Sequence, residues 1–182
     1  DPAVWFRQKH YALVRRLVPS AMLETLVTAA EAAQWIPLPL IDGPVHQRKD
    51  EAVIDRPTGV AGLSSLLELV TAEAARIGWP SWKPNEFVLN RYVGHSAHIT
   101  AHRDSARYTG LIAVVTLFGR ADFRICSTRT GPPLGEWQSR PGDLVLLQGA
   151  EPEGRDDRPF HAVEGPIDGV RVSLTARWDS RR

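Results

Sequence analysis

The sequence predicts a mainly β chain with N-terminal helices, an α+β protein whose β part is an antiparallel sandwich or barrel. Three observations carry this. Helical periodicity is confined to the first third or so of the 182 residues. From residue 86 onward, short segments rich in β-branched and aromatic residues follow one another closely. Turns such as Gly131-Pro132-Pro133 and Pro141-Gly142 separate them, without the intervening helices that a parallel sheet requires.

Pro19-Ser20 marks the first helix start, with Ser20 as N-cap. Residues 21–34 follow, rich in alanine, leucine and glutamate, and Trp35 and Pro37 close the helix. A second helix is expected over residues 64–77, where Leu66, Leu67, Val70, Ala74 and Ile77 recur at helical spacing and Gly78 ends the run. Between the two, residues 36–59 hold four prolines, Gly43 and a charged cluster over 47–50, and read as a long loop or lid. Strands are expected at 87–92, 111–118, 121–126, 143–147 and 170–178.

A length of 182 residues predicts one domain with a sizeable core. Hydrophobic residues at 43% and charged residues at 24% exclude disordered, collagenous and coiled-coil classes. No run approaches eighteen consecutive apolar residues, so no membrane span is expected. The net charge is +1 and is balanced in both halves of the chain, so any nucleic-acid partner would need a local basic patch. Cys126, the single cysteine, can form neither an internal disulfide nor a cysteine-rich zinc site, and a reducing cytoplasm is the expected compartment.

Chemistry concentrates in Thr100-Ala101-His102-Arg103-Asp104-Ser105 and in Pro159-Phe160-His161 far downstream. In extended chain, residues two apart share a face, so His102 and Asp104 can reach one ion. A histidine from a distant strand completes two imidazoles and one carboxylate on one side of a metal, leaving the other positions open, an arrangement suited to non-haem Fe(II). His95 and His98 are nearby rivals whose ordinary reading is as exposed loop residues, and His10 and His46 default to surface roles. In the last strand, Val170-Arg171-Val172-Ser173-Leu174-Thr175-Ala176-Arg177-Trp178, even positions are apolar and odd positions are Arg, Ser, Thr and Arg. Two guanidinium groups on one face can hold a short dicarboxylate between them. Asn90 and Tyr92 likewise share the face opposite Phe87, Leu89 and Arg91.

Taken together, Asn90-Arg91-Tyr92, His102-Arg103-Asp104, Gly142-Asp143-Leu144-Val145, His161 and residues 171–177 resemble, in order and spacing, the Fe(II)/2-oxoglutarate dioxygenases. The Asn-x-Tyr and Arg-x5-Arg elements look like the AlkB-like branch. The resemblance spans about residues 86–178 and implies a double-stranded β-helix, or jelly-roll, catalytic core over 86–182, with helical support and a lid over 1–85. It implies that His102, Asp104 and His161 bind Fe(II). Arg171, helped by Tyr92, would pair with the far carboxylate of 2-oxoglutarate, and Arg177 and Asn90 would lie near the carboxylate that chelates iron. The implied reaction consumes O2, converts 2-oxoglutarate to succinate and CO2, and oxidises a substrate C–H bond by hydroxylation or oxidative demethylation.

The sequence departs from the nucleic-acid repair members of that branch in two places. No Phe, Tyr or Trp lies between Trp35 and Trp79, so only His46 is available to stack on an extruded base. Ser105-Ala106-Arg107 stands where an acidic residue commonly meets the base. Arg103, Arg107 and Tyr108 flank the metal motif as candidate substrate contacts, with cross-strand surface pairing as the ordinary alternative for Arg103 and Tyr108, and residues 151–158 read as a charged rim or solvated loop before His161. Three readings follow: an oxygenase acting on a small molecule or flexible substrate, which these departures favour; the same chemistry on alkylated nucleic-acid bases, which a basic groove around Arg103, Arg107, Arg120 and Arg124 would support; and a non-catalytic jelly-roll binding or sensor module.

Overall fold

The alternating segments after residue 86 pair into two antiparallel sheets that face each other, and the helices cover the outer face of the larger one. In the computed structural model, residues 1–151 and 156–182 are described. The elements run α1 (Pro2–Lys9), β1 (Tyr11–Val14), α2 (Ser20–Glu31), β2 (Ile36–Pro37), β3 (Ile41–Asp42), β4 (Val45–Arg48) and β5 (Asp50–Val53). A 3-10 turn (Pro57–Gly59) leads to α3 (Leu63–Arg76), then β6 (Glu86–Val93), β7 (His98–His102), β8 (Tyr108–Phe118), β9 (Ala121–Cys126), β10 (Pro133–Ser139), β11 (Leu144–Gln148), β12 (Phe160–Pro166) and β13 (Val170–Asp179).

The large sheet has the order β1-β11-β8-β13-β6-β5-β2, and the small one β10-β9-β12-β7-β4-β3. The alternation in β13 now has a structural meaning. Leu174 and Ala176 pack with Leu89, Val115, Leu117, Leu144 and Leu146 against Leu26 and Ala30 of α2 and Leu63, Leu66, Val70 and Ala74 of α3. The odd residues Arg171, Ser173 and Thr175 are also buried, on the side facing the small sheet. Because β13 lies between β8 and β6, this polar face is interior and must be satisfied from within. A second core, including Tyr92, Ile99, Ile112, Val114, Phe123, Ile125 and Val163, fills the space between the sheets. At the turn from β8 into β9 the chain passes from the large sheet to the small one through Gly119, at φ +69°, where a Cβ would meet the Val170 carbonyl oxygen at 1.9 Å.

Three sequence expectations change. The first predicted helix starts one residue earlier, at Ser20, with Pro19 as N-cap and no side-chain capping bond, so Ser20 is not the cap. A further helix, α1, begins at the very start, where Asp1 Oδ1 accepts from the Ala3 and Val4 amides and Pro2 occupies the first turn. Residues 36–59 are not simply a loop: β4 pairs with β7 and β5 with β6, which adds strands to both sheets. Short, charged, proline-flanked strands carry too little apolar alternation to be seen in sequence. The expected rim over 151–158 falls partly on residues 152–155, outside the described residues. Among the described residues, no helix is long and apolar enough to cross a membrane.

Candidate metal centre and anion pocket

His102 closes β7, and its register partner across the small sheet is His161 near the start of β12. Directly opposed residues project to the same face, and the two imidazole centroids lie 4.3 Å apart. Asp104, two residues beyond His102, turns back toward them, with Oδ2 3.3 Å from His161 Nε2. One ligand atom from each of His102, Asp104 and His161 lies within 4.8 Å of the others. No other group of His, Cys, Asp or Glu residues among those described forms such a cluster.

Backbone carbonyls fix both imidazoles. His102 Nδ1 donates to the Thr100 carbonyl at 2.9 Å and His161 Nδ1 to that of Pro159 at 3.3 Å. A carbonyl only accepts, so each Nδ1 carries the proton and each Nε2 presents a lone pair. Phe123 stacks parallel to the His161 ring, with centroids 5.9 Å apart. Burial, and then the neighbouring His161, push the His102 imidazole down to about 3; burial also lowers His161. Burial opposes the Asp104 charge, but Arg177, His161 and His102 outweigh it and hold the carboxyl at about 2. Two neutral imidazoles and one carboxylate are therefore in the protonation state a metal takes, and the donor set is that of a facial non-haem iron site.

The same cavity runs from these three residues to Lys49, Asn90, Tyr92, Arg171, Ser173, Thr175 and Arg177. Arg171 is 1% exposed. Its guanidinium donates from Nε to Ser139 Oγ, from Nη1 to Ser173 Oγ and from Nη2 to Thr116 Oγ1, each at 3.2 Å. It also lies 5.5 Å from the centroid of the Tyr92 ring, its register partner on β6. Among the described residues no carboxylate reaches it, and burial pulls it below the ordinary arginine range. A buried cation held only by neutral hydroxyls is costly without an anion, and the arrangement is that of an anion receptor.

Arg177 stands at the opposite end of the same face. Its Nη2 lies 3.2 Å from Asp104 Oδ1, and its Nη1 lies 3.3 Å from both Glu86 Oε1 and Tyr108 Oη. Tyr108 donates to Glu86 at 2.5 Å. Asn90 donates from Nδ2 to Thr175 Oγ1 at 3.1 Å.

The structure thus brings together His102, Asp104, His161, Asn90, Tyr92, Arg171 and Arg177 around one cavity. Arg107 and Tyr108 lie behind Arg177: Arg107 bonds Tyr108 Oη and Glu86, and reaches Asp179 at 3.5 Å. Arg103 pairs with Asp156 at 2.9 Å and covers the Phe160 ring. His46 is exposed on β4 and does not line the cavity. His95 and His98 bond their Nδ1 to the carbonyls of Pro166 and Ser96, and neither joins the cluster. Sequence reasoning missed Lys49, Glu86, Thr116 and Ser139. Ser173 and Thr175 were visible in the alternation of β13, but the hydroxyls of Thr116 and Ser139 reach Arg171 only through folding.

No protein-family model matches the sequence, and a search of curated proteins gives no match. Solved structures do match. A prolyl hydroxylase from Trichoplax adhaerens, in complex with a hypoxia inducible factor oxygen degradation domain peptide fragment, superposes with a TM-score of 0.70 at 12% identity, covering 98% of this chain and 88% of that one. A Pseudomonas putida prolyl-4-hydroxylase gives 0.69 at 16%, covering 97% and 96%. The epimerase SnoN, in complex with Fe3+, alpha ketoglutarate and nogalamycin RO, gives 0.69 at 16%, covering 96% and 80%. Over nearly its whole length the chain therefore has the fold these proteins share, a jelly-roll core of two antiparallel sheets with N-terminal helices.

Proposed function

We propose that the protein is an Fe(II)- and 2-oxoglutarate-dependent dioxygenase, placed by its Asn-x-Tyr and Arg-x5-Arg elements near the AlkB-like branch, and that it oxidises a C–H bond of a small or flexible substrate. One observation carries the reading. A single cavity holds a set of two histidines and one carboxylate at one end and, deeper in, a fully buried guanidinium with no acid partner among the described residues. A metal site alone fits many proteins, and a buried arginine alone fits a structural role. Together they define a receptor for a short dianion that reaches from the metal to Arg171. The superposition on SnoN, whose complex contains Fe3+ and alpha ketoglutarate, supports the same assignment.

His102, Asp104 and His161 would hold the metal, which supplies O2 activation coupled to decarboxylation of the cosubstrate. Arg171 accepts the distal carboxylate in its fork, oriented by Thr116, Ser139 and Ser173, with Tyr92 beside it. Arg177 holds Asp104 Oδ1, leaving Oδ2 turned toward His161. Charges also match: with Lys49 paired to Glu51 and Arg177 to Glu86, two positive charges on the metal and one on Arg171 would balance Asp104 and a dicarboxylate.

The substrate reading rests on the arginines. A basic groove over Arg103, Arg107, Arg120 and Arg124 would favour nucleic acid. Each of the four is instead paired with an acid: Arg103 with Asp156, Arg107 with Glu86, Arg120 with Asp168, and Arg124 with Glu136 and Glu164. Neutralised arginines give little counterion release, which is what sequence-independent affinity for a phosphate backbone requires. The buried free thiol of Cys126 fits a reducing, cytoplasmic setting. The test is succinate release from 2-oxoglutarate under air with Fe(II). Slow uncoupled release by the parent and none by His102→Ala supports the enzyme; no release with any candidate substrate returns the chain to a binding module.

A further inference from the structure

Lys49 sits between β4 and β5, where the chain leaves the small sheet and enters the large one: Gln47 and Arg48 pair with β7, Asp50 and Glu51 with β6. Its carbonyl accepts the Leu38 amide at 3.1 Å, which ties down the preceding segment as well. The side chain is 7% exposed and lines the cavity with the metal-site residues.

Its ammonium donates to Glu51 Oε1 and to Asn90 Oδ1, both at 2.6 Å. An ammonium offers only donors, so the Asn90 atom it meets is the oxygen. The amide is thereby oriented: Oδ1 belongs to Lys49, and Nδ2 gives one N–H to Thr175 Oγ1. An amide nitrogen carries a second N–H, and no acceptor among the described residues takes it. Asn90 therefore presents a donor to the cavity. Turned over, it would present a carbonyl oxygen, which repels a carboxylate.

We propose that Lys49 is a positioning residue for the cosubstrate, holding the Asn90 amide so that an N–H faces the anion between Arg171 and the metal site. The inference rests on the proposed function, since the anion meant is 2-oxoglutarate. The ammonium acts through the amide, so its effect on binding requires Asn90 to be present.

The test is equilibrium binding of 2-oxoglutarate to Mn(II)-loaded protein by titration calorimetry, with Mn(II) affinity measured separately. Lys49→Met is expected to weaken 2-oxoglutarate about tenfold, in line with loss of a charge-assisted hydrogen bond, with Mn(II) affinity undiminished. Lys49→Arg should restore most of it. In an Asn90→Ala background, Lys49→Met should change affinity by no more than about twofold, since the group it acts through is gone. Thr175→Val, which releases the amide without touching the lysine, should weaken binding in the same direction, and it serves if Lys49→Met does not fold. Binding by Lys49→Met or Thr175→Val at parental strength overturns the inference. So does an undiminished tenfold effect in the Asn90→Ala background, which would make Lys49 a direct contact. Failure of the parent to bind 2-oxoglutarate removes the proposed function and this inference with it; parental binding retained by Lys49→Met removes this inference alone.

Discussion

Arg171 stands directly across from Tyr92 in the β13–β6 register, and its guanidinium has only the hydroxyls of Ser139, Ser173 and Thr116 as hydrogen-bond partners among the described residues. Function and stability are opposed at this position. Burying an ion without a counter-charge carries a desolvation cost that an apolar side chain of similar length does not incur. Arg171→Met is therefore expected to lose 2-oxoglutarate binding by at least about a hundredfold while the ligand-free protein melts a few degrees higher, at about 2–4 °C per kcal/mol for a chain of this size. Thermal unfolding with and without 2-oxoglutarate checks both halves. A variant that melts lower without ligand shows that the cation is compensated in the empty pocket.

The metal-site imidazoles make the ligand-free protein acid-sensitive. His102 is held neutral, near 3 against an ordinary 6.5, by burial and by His161, and His161 is lowered as well. Between these values the unfolded chain binds protons that the folded chain refuses, so stability rises with pH and falls on acidification from about 6.5 toward 3. Asp104 acts lower: its carboxyl, ordinarily near 3.8 and held at about 2, contributes stability above 3.8 that is lost as pH falls toward 2. Between pH 7 and pH 5 the slope should thus come from histidine, at up to about 1.4 kcal/mol per pH unit for each imidazole. Denaturant unfolding of metal-free protein should show it, and His102→Asn should flatten it. An equal slope in that variant assigns the acid sensitivity elsewhere.

How much of this was legible in the sequence follows from what each residue depends on. Strands β6, β8, β9, β11 and β13 announce themselves as short runs rich in β-branched, aromatic and other apolar residues, the local mark of strands buried along most of their length. Strands β4 and β5 do not, since each has four residues, among them Arg48, Asp50 and Glu51, and becomes a strand only when the partner edge of β7 or β6 is in place. His102 and Asp104 were readable from a two-residue spacing, and His161 from its place in the resemblance. Lys49 was not: its meaning comes from lying at a crossing between sheets, beside an asparagine 41 residues away. Arg107 depends on distant residues in the same way: its position after Asp104 suggests a substrate contact, and in the fold its guanidinium, still about a third exposed, also reaches Glu86 and Asp179.

Glu86 anchors an ionic network, only 5% exposed and within 3.3 Å of Arg107, Arg177 and Tyr108. Removing one member of a buried ionic group leaves the remaining charges uncompensated, which typically costs about 3–5 kcal/mol. Glu86→Ala should lower stability by that order, and Glu86→Gln by less, because it retains an acceptor for Tyr108 and Arg177. With Arg177 less constrained, Asp104 loses its fixed orientation, so Mn(II) affinity should fall in both variants. Unfolding and metal titration measured together separate the two effects: unaltered metal affinity in a destabilised Glu86→Gln shows that the network supports the fold alone.

The substrate assignment makes the sharpest prediction because its two outcomes differ in kind. If Arg103, Arg120 and Arg124 remain paired with Asp156, Asp168, Glu136 and Glu164, phosphate contacts must first break those pairs. Each exposed pair is weak, worth at most about 1 kcal/mol, so the acids oppose nucleic acid chiefly by charge, not by strength. Substituting the acids should then create what the parent lacks: Glu136→Gln with Glu164→Gln and Asp168→Asn is expected to bind oligonucleotides with a steep salt dependence, while the parent binds weakly with a shallow one. Succinate release by the parent should be indifferent to methylated oligonucleotides and should accelerate with a small-molecule substrate. Acceleration by a methylated oligonucleotide instead would show that the paired arginines rearrange on binding, and would transfer the chain to the nucleic-acid reading with its metal site and anion pocket unchanged.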